Sequence, residues 1–357
     1  MAEASISPRD LPRNSPQRGL LAIVVGPIIL CLAGCWRESA EPLGSPMTDD
    51  QREQTNPTAK DAADKNTSPE EPAAFDQLWD FSNPSGTEAK FRELLSSDDA
   101  KRDSYRLQLL TQIARCQGLE RKFRGAHQTL DEVRGGLAQV PPVVRVRYLL
   151  ERGRVYNSSN QADKARPSFL SAWELACESG EDHFAIDAAH MLGVVETADK
   201  AMRWNEKALA RAEGSKDERA RKWLGSLYNN IGWTHHDEGR FDKALAMFEK
   251  AQAWREEQKQ PAEAFIAKWS VARAKRSLGQ IKEALALQEA LLREYEAAGT
   301  KDGYVFEELG ECHLALDQPK KAAGFFAEAY AELSKDPWLV ENETKRVERI
   351  KRLGGVE

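Results

Sequence analysis

Histidine, cysteine and clustered carboxylates are the residues here that could hold a metal or run acid–base chemistry, and the chain has six histidines and five cysteines in 357 residues. His235 and His236 are adjacent, so on a helix their side chains diverge by about 100° and cannot share an ion. His183 and His190 are seven residues apart and can share a helix face, but no third ligand stands near them in the sequence. Cys116, Cys177 and Cys312 read as small buried apolar side chains. The pairs Glu256-Glu257 and Glu307-Glu308 sit in charge-rich stretches, where a solvated helix face explains them better than a catalytic pair. No glycine-rich phosphate loop follows a strand-forming run, and no Gly-x-Ser-x-Gly elbow is present. The expectation is a chain that is not an enzyme and that holds no metal and no cofactor.

The elements that would position a binding site are better marked. With 41% hydrophobic residues the chain can build a sizeable core, and a net charge of −6 gives no reason to expect nucleic acid as a partner. Five cysteines in so long a chain rule out a disulfide framework. A small-residue pattern recurs around Ala126, Ala165, Ala201, Ala244, Ala284 and Ala322, at spacings of 36 to 43 residues. Its clearest copy runs Gly232-Trp233, Gly239-Arg240-Phe241-Asp242-Lys243-Ala244, then Phe248 and Ala251. Small residues let two antiparallel helices approach, a large residue four positions after the alanine fills the gap, and Gly or Asp marks the turn. The copy around Gly193 and Ala201 is degenerate, with a shortened turn.

This pattern resembles the tetratricopeptide repeat, a helix pair that buries its apolar face only by stacking on its neighbours. The resemblance implies an all-α fold, a right-handed superhelical solenoid of about six helix-turn-helix repeats. It covers residues 103–336, between a helical cap at 75–102 broken at Pro84 and a capping helix at 337–357. Arg346, Arg349, Lys351 and Arg352 would lie on the outer face of that last helix.

Residues before the array read as an address and a tether. Arg9, Arg13 and Arg18 precede an uncharged apolar run at 20–33, the layout of a secretory signal. The alternative is an uncleaved membrane anchor, for which the run is short and interrupted by Pro27. Leu32-Ala33-Gly34-Cys35 resembles the bacterial lipobox at all four positions. That resemblance implies a signal peptide at 1–34, removed on processing, and Cys35 as the lipidated first residue of a lipoprotein in the cell envelope, facing the periplasm or exterior. Trp36 after the cysteine, rather than Asp, slightly favours the outer membrane by the same resemblance. The stretch 35–74 carries five prolines, and nine acidic residues against four basic ones, a composition that cannot bury enough apolar area to fold. It is expected to be a disordered tether.

In the tetratricopeptide family the first helix of each pair lines a concave groove. Carried onto this sequence, that groove shows Arg115, Arg147, Arg154, Asn229, Trp233, His236, Trp269, Arg273, Arg276 and Tyr304, with His190 beside them. A basic, aromatic set suits a protein or peptide partner, one with acidic groups or a C-terminal carboxylate. The other reading is that these arginines pair with neighbouring acids and only solvate the groove. The functional expectation is a non-catalytic interaction scaffold or adaptor, anchored to the membrane through Cys35. Its alternatives are an assembly factor for outer-membrane protein, pilus or polysaccharide-export machinery, and a glycan-binding or enzymatic module using the tryptophans.

Overall fold

The computed structural model describes residues 74–357, and among them every regular element is helical, with no strand. The expected signal peptide, Cys35 and all but the last residue of the expected tether lie outside the described residues. None of the described helices is long and apolar enough to cross a membrane. The described chain divides into two compact units, one ending at Leu278 and the other Gly279–Glu357.

The first unit opens with a 3-10 turn at Ala74–Leu78 and a short helix, α1 (Pro84–Leu94). Asn83 caps α1 by accepting from the Gly86 N–H, and Pro84 occupies the first helical position, where its missing N–H costs nothing. Four antiparallel hairpins follow. They are α2 (Asp103–Leu119) with α3 (Phe123–Gly135), α4 (Pro142–Ser158) with α5 (Ala162–Ser179), α6 (Asp182–Val195) with α7 (Ala198–Gly214), and α8 (Leu224–Asp237) with α9 (Phe241–Glu257). A further helix, α10 (Pro261–Ser277), packs on α9 and closes the unit. The second unit holds α11 (Ile281–Ala297), the hairpin α12 (Gly303–Ala315) with α13 (Pro319–Leu333), then α14 (Pro337–Asn342) and α15 (Thr344–Leu353).

One packing device explains the small-residue pattern. The rings of Phe169, Phe248 and Phe326, each four residues after its alanine, are fully buried. Each lies against a glycine of the preceding helix: a Cβ added at Gly153, Gly232 or Gly310 would fall 2.5, 2.5 or 2.9 Å from the ring. Glycine is needed there because the ring fills the space of its side chain. The turns inside the hairpins share a second device. Arg121, Asn160, Gly239 and Asp317 sit five residues before their alanines, with φ of 61°, 59°, 74° and 57°. The left-handed middle residue reverses the chain in three residues, and only Gly adopts it without cost.

The α6–α7 hairpin departs from both rules. Its turn is Glu196-Thr197, with Glu196 extended (φ −92°), and its alanine, Ala201, is only half-buried. Asn205 stands where the others place a ring, and a Cβ at Gly193 would meet its Oδ1 at 3.0 Å. A two-residue turn cannot hold the left-handed middle residue, so the tip packs differently.

The C-terminal cap also differs from expectation. It forms two helices, because Asp336 and Pro337 start α14 and Glu343 (φ −120°, ψ 34°) interrupts the helical path before α15. Arg346 and Arg349 do not face outward alone. They form ion pairs with Glu307 and Glu311 of α12. Glu307, held in this way, is buried, and so is Glu308 beside it, where a solvated face was expected.

Candidate functional site

Helices α2, α4 and α6 are the first helices of successive hairpins, and their facing residues form a charge ladder. Arg115 on α2 donates to Glu151 on α4 at 3.3 Å. Arg154, one turn beyond Glu151, donates to it at 2.6 Å and to both carboxylate oxygens of Asp187 on α6. Arg147 grips Asp76 of the N-terminal turn with both terminal nitrogens, one of these bonds measuring 3.0 Å. Burial alone would raise the Asp187 pKa, but the Arg154 guanidinium, with Arg115 behind it, holds it below the usual carboxylate value. For Arg115, burial and the neighbouring Arg154 charge both push the pKa down. Three of the arginines expected to make the groove basic are therefore matched by acids: Arg147 by Asp76, and Arg115 and Arg154 by Glu151 and Asp187.

Two buried histidines flank the ladder on α6. Burial lowers the pKa of both His183 and His190. Trp223 donates from Nε1 to His183 Nδ1 at 3.3 Å, and its ring lies 5.5 Å from that of His190. His190 Nε2 is buried with no hydrogen-bond partner. Among the described residues no group of three or more His, Cys, Asp or Glu is placed to hold a metal ion. Cys116, Cys177 and Cys312 form no disulfide, and burial pushes the Cys116 thiol up to about 12, so it is not a ready nucleophile.

The α8–α10 stretch is built differently. Trp233 on α8 lies 5.7 Å from Trp269 on α10, 5.0 Å from Phe248 and 5.2 Å from His236. His236 Nε2 pairs with Ser277 Oγ at 2.9 Å. Trp269, Arg273 and Arg276 follow one another at four- and three-residue steps, which sets them on one face of α10. They are half-buried, as are Trp233 and His236. Burial raises the pKa of Asp237 at the end of α8, with the charge of Arg273 opposing. Asn229 is buried on the same helix, and its Oδ1 has no partner.

The sequence of α8 and α9 is the part of the chain that a known family matches, as Tetratricopeptide repeat, over residues 225–258. These residues are a tetratricopeptide repeat. Solved structures share the fold around it. A signal-transduction ATPase with a tetratricopeptide repeat sensor, from Pyrococcus horikoshii, superposes with a TM-score of 0.60 at 12% identity. The match covers 75% of this chain and 41% of that one. The apo form of RapI gives 0.58 at 12% identity, over 75% and 79% of the two chains. The apo quorum sensor NprR from B. thuringiensis gives 0.53 at 14%, over 79% and 81%. No curated protein matches the sequence.

The tetratricopeptide repeat thus carries Asn229, Trp233 and His236, and the helix after it carries Trp269, Arg273 and Arg276. Tyr304 belongs to the second unit, where Arg346 lies 5.3 Å from its ring and burial pushes its hydroxyl up to about 12. The acids that complete the ladder, Asp76, Glu151 and Asp187, were not singled out in the sequence. Glu151 could have been, since it lies four residues after Arg147 and three before Arg154, on one helix face.

Proposed function

We propose that this chain is a non-catalytic, lipid-anchored interaction scaffold of a bacterial cell envelope, holding a protein or peptide partner on the face built by its first helices. The observation that carries the binding reading is the half-buried Trp233–Trp269 pair with Arg273 and Arg276 beside it, at and just beyond the tetratricopeptide repeat. Tryptophan offers large contact area at low entropy cost, and arginine suits carboxylates of the partner. Two of the similar solved chains are described as sensors, which fits a fold that accepts a ligand. The lipobox-like Leu32-Ala33-Gly34-Cys35 supports the anchor, and the stretch after it supplies reach from the membrane. A tether of some forty residues would span about 35 Å as a flexible coil.

The test of binding is a crosslinking pull-down from cells, comparing the wild type with Trp269→Ala, Arg273→Ala, Arg276→Ala combined. A defined envelope protein that is captured by the wild type and lost with the variant supports the scaffold. A partner that persists moves binding off this face, and no capture above background sinks the scaffold reading. The anchor is tested separately: labelled fatty acid enters the wild type and not Cys35→Ser, or the lipoprotein assignment fails.

A further inference from the structure

Residues 75–81, Phe75-Asp76-Gln77-Leu78-Trp79-Asp80-Phe81, precede the capping helix α1 but do not stop at the first hairpin. Phe75, 1% exposed, sets its ring edge-on to Tyr105 of α2 at 5.3 Å. Asp76 is held by Arg147 of α4, whose guanidinium also lies 4.9 Å from the ring centre of Phe184 on α6. Trp79 donates from Nε1 to Gln112 Oε1 of α2 at 3.1 Å and stacks on Phe81 at 4.6 Å. The Arg115 guanidinium lies 5.8 and 5.5 Å from these two rings. Seven residues thus engage the first helices of two hairpins and reach the third through Arg147. An end cap needs only to cover the apolar flank of the first hairpin. A short acidic, aromatic run laid across successive first helices follows the path of a bound peptide.

The fit is also incomplete. Arg147 Nε is buried and has no partner, so the segment leaves this guanidinium one acceptor short. A buried donor left unmatched is costly, and a ligand that supplies the acceptor gains accordingly.

We propose that residues 75–81 are a strap bound in cis on the first-helix face, and that the partner of this face is an acidic peptide with flanking aromatic side chains that displaces the strap. The inference rests on reading that face as a binding surface, and it names the partner's chemistry: a carboxylate for Arg147 and planar side chains for Arg115 and Gln112. A strap joined to its site acts at an effective concentration in the millimolar range, so it masks the site from weak ligands.

The experiment uses the full chain and a fluorescent peptide with the sequence of residues 74–83, read by anisotropy. Asp76→Lys places a cation against Arg147 and loosens the strap. It should bind the peptide at least tenfold more tightly than the wild type does. Adding Arg147→Gln to Asp76→Lys should remove at least tenfold of that affinity, as loss of a buried charge pair does. If Asp76→Lys does not fold, Asp76→Asn, which keeps the shape, carries the same comparison with a smaller gain. Equal binding by the wild type and the variants overturns the strap, and so does no binding by a variant with wild-type helix content. The pull-down fails independently of this result: peptide binding that depends on Arg147, with no partner captured from cells, sinks the scaffold and leaves the strap standing.

Discussion

On α2, α4 and α6 the facing residues of the first helices are arginines and carboxylates bonded to one another, while on α8 and α10 the half-buried rings of Trp233 and Trp269 lie 5.7 Å apart. Two stretches of one unit are thus held by different contacts, charge pairs in one and ring packing in the other. Arg147, Arg154, Asp187 and Glu151 are largely withdrawn from water, and a charge so placed persists only when matched, so the ladder ties the helices together. Trp233 packs on Trp269 and Phe248, and both tryptophans remain partly exposed.

The largest expected effect comes from breaking the ladder. Arg154→Leu leaves Asp187 without its guanidinium and Glu151 with Arg115 alone, and should lower stability by about 3–5 kcal/mol in a denaturant titration. Lys101→Ala, whose pair with Asp98 is exposed on both sides, should cost less than about 1 kcal/mol. Equal losses would show that the ladder is worth no more than a surface pair.

Packing should sharpen the comparison by cutting across it. Gly153→Ala and Gly232→Ala lie in different stretches but press a Cβ against the same kind of ring, so each should cost about 1–3 kcal/mol. Gly193→Ala meets the Asn205 side chain, which can swing away, and should cost under about 1 kcal/mol. A large loss at Gly193 and none at Gly232 would show that the hairpins have been aligned wrongly.

Acid should act first on the ladder. His183 and His190 have folded pKa values below 6.5, so the unfolded chain takes up protons that the folded chain refuses. Their contribution is complete above about pH 6.5 and is lost as pH falls below it. Asp187, also depressed, keeps its contribution until pH falls through its own folded value, below 3.8. Stability should therefore drop as pH falls from about 6.5, by up to about 1.4 kcal/mol per pH unit for each histidine. His190→Phe should flatten that drop, and an unchanged slope in the variant would remove His190 from the account.

The smallest effects lie in the turns. Arg121→Gly relieves a left-handed arginine and should stabilise by about 0.5–1 kcal/mol, whereas Gly239→Ala at the matching turn should destabilise by about 1 kcal/mol. Thermal melts of the two variants moving in the same direction would contradict the shared turn geometry.

The repeat was legible because its signals are local and periodic. Phe248 sits four residues after Ala244 and packs into Gly232 sixteen residues earlier, within one helix pair, so a single hairpin's sequence contains both halves of the contact. The third hairpin was already irregular in sequence, and its shortened turn explains Asn205 and the half-buried Ala201. The state of the groove was not legible. Arg147 meets an acid 71 residues away, and Arg154 meets one 33 residues away. The one local signal was Glu151, three residues before Arg154 on the same helix face. Glu307 differed from expectation for the same reason, since it is matched by Arg346, 39 residues later in the chain.

The sequence alone determined that this chain is all-helical and repeated, because small-residue spacing and turn residues act within a few helical turns. Only the tertiary structure decided which acids the arginines of the first hairpins meet. Whether a guanidinium is matched depends on burial and on acids brought together from distant hairpins, and those distances close only when the helices stack.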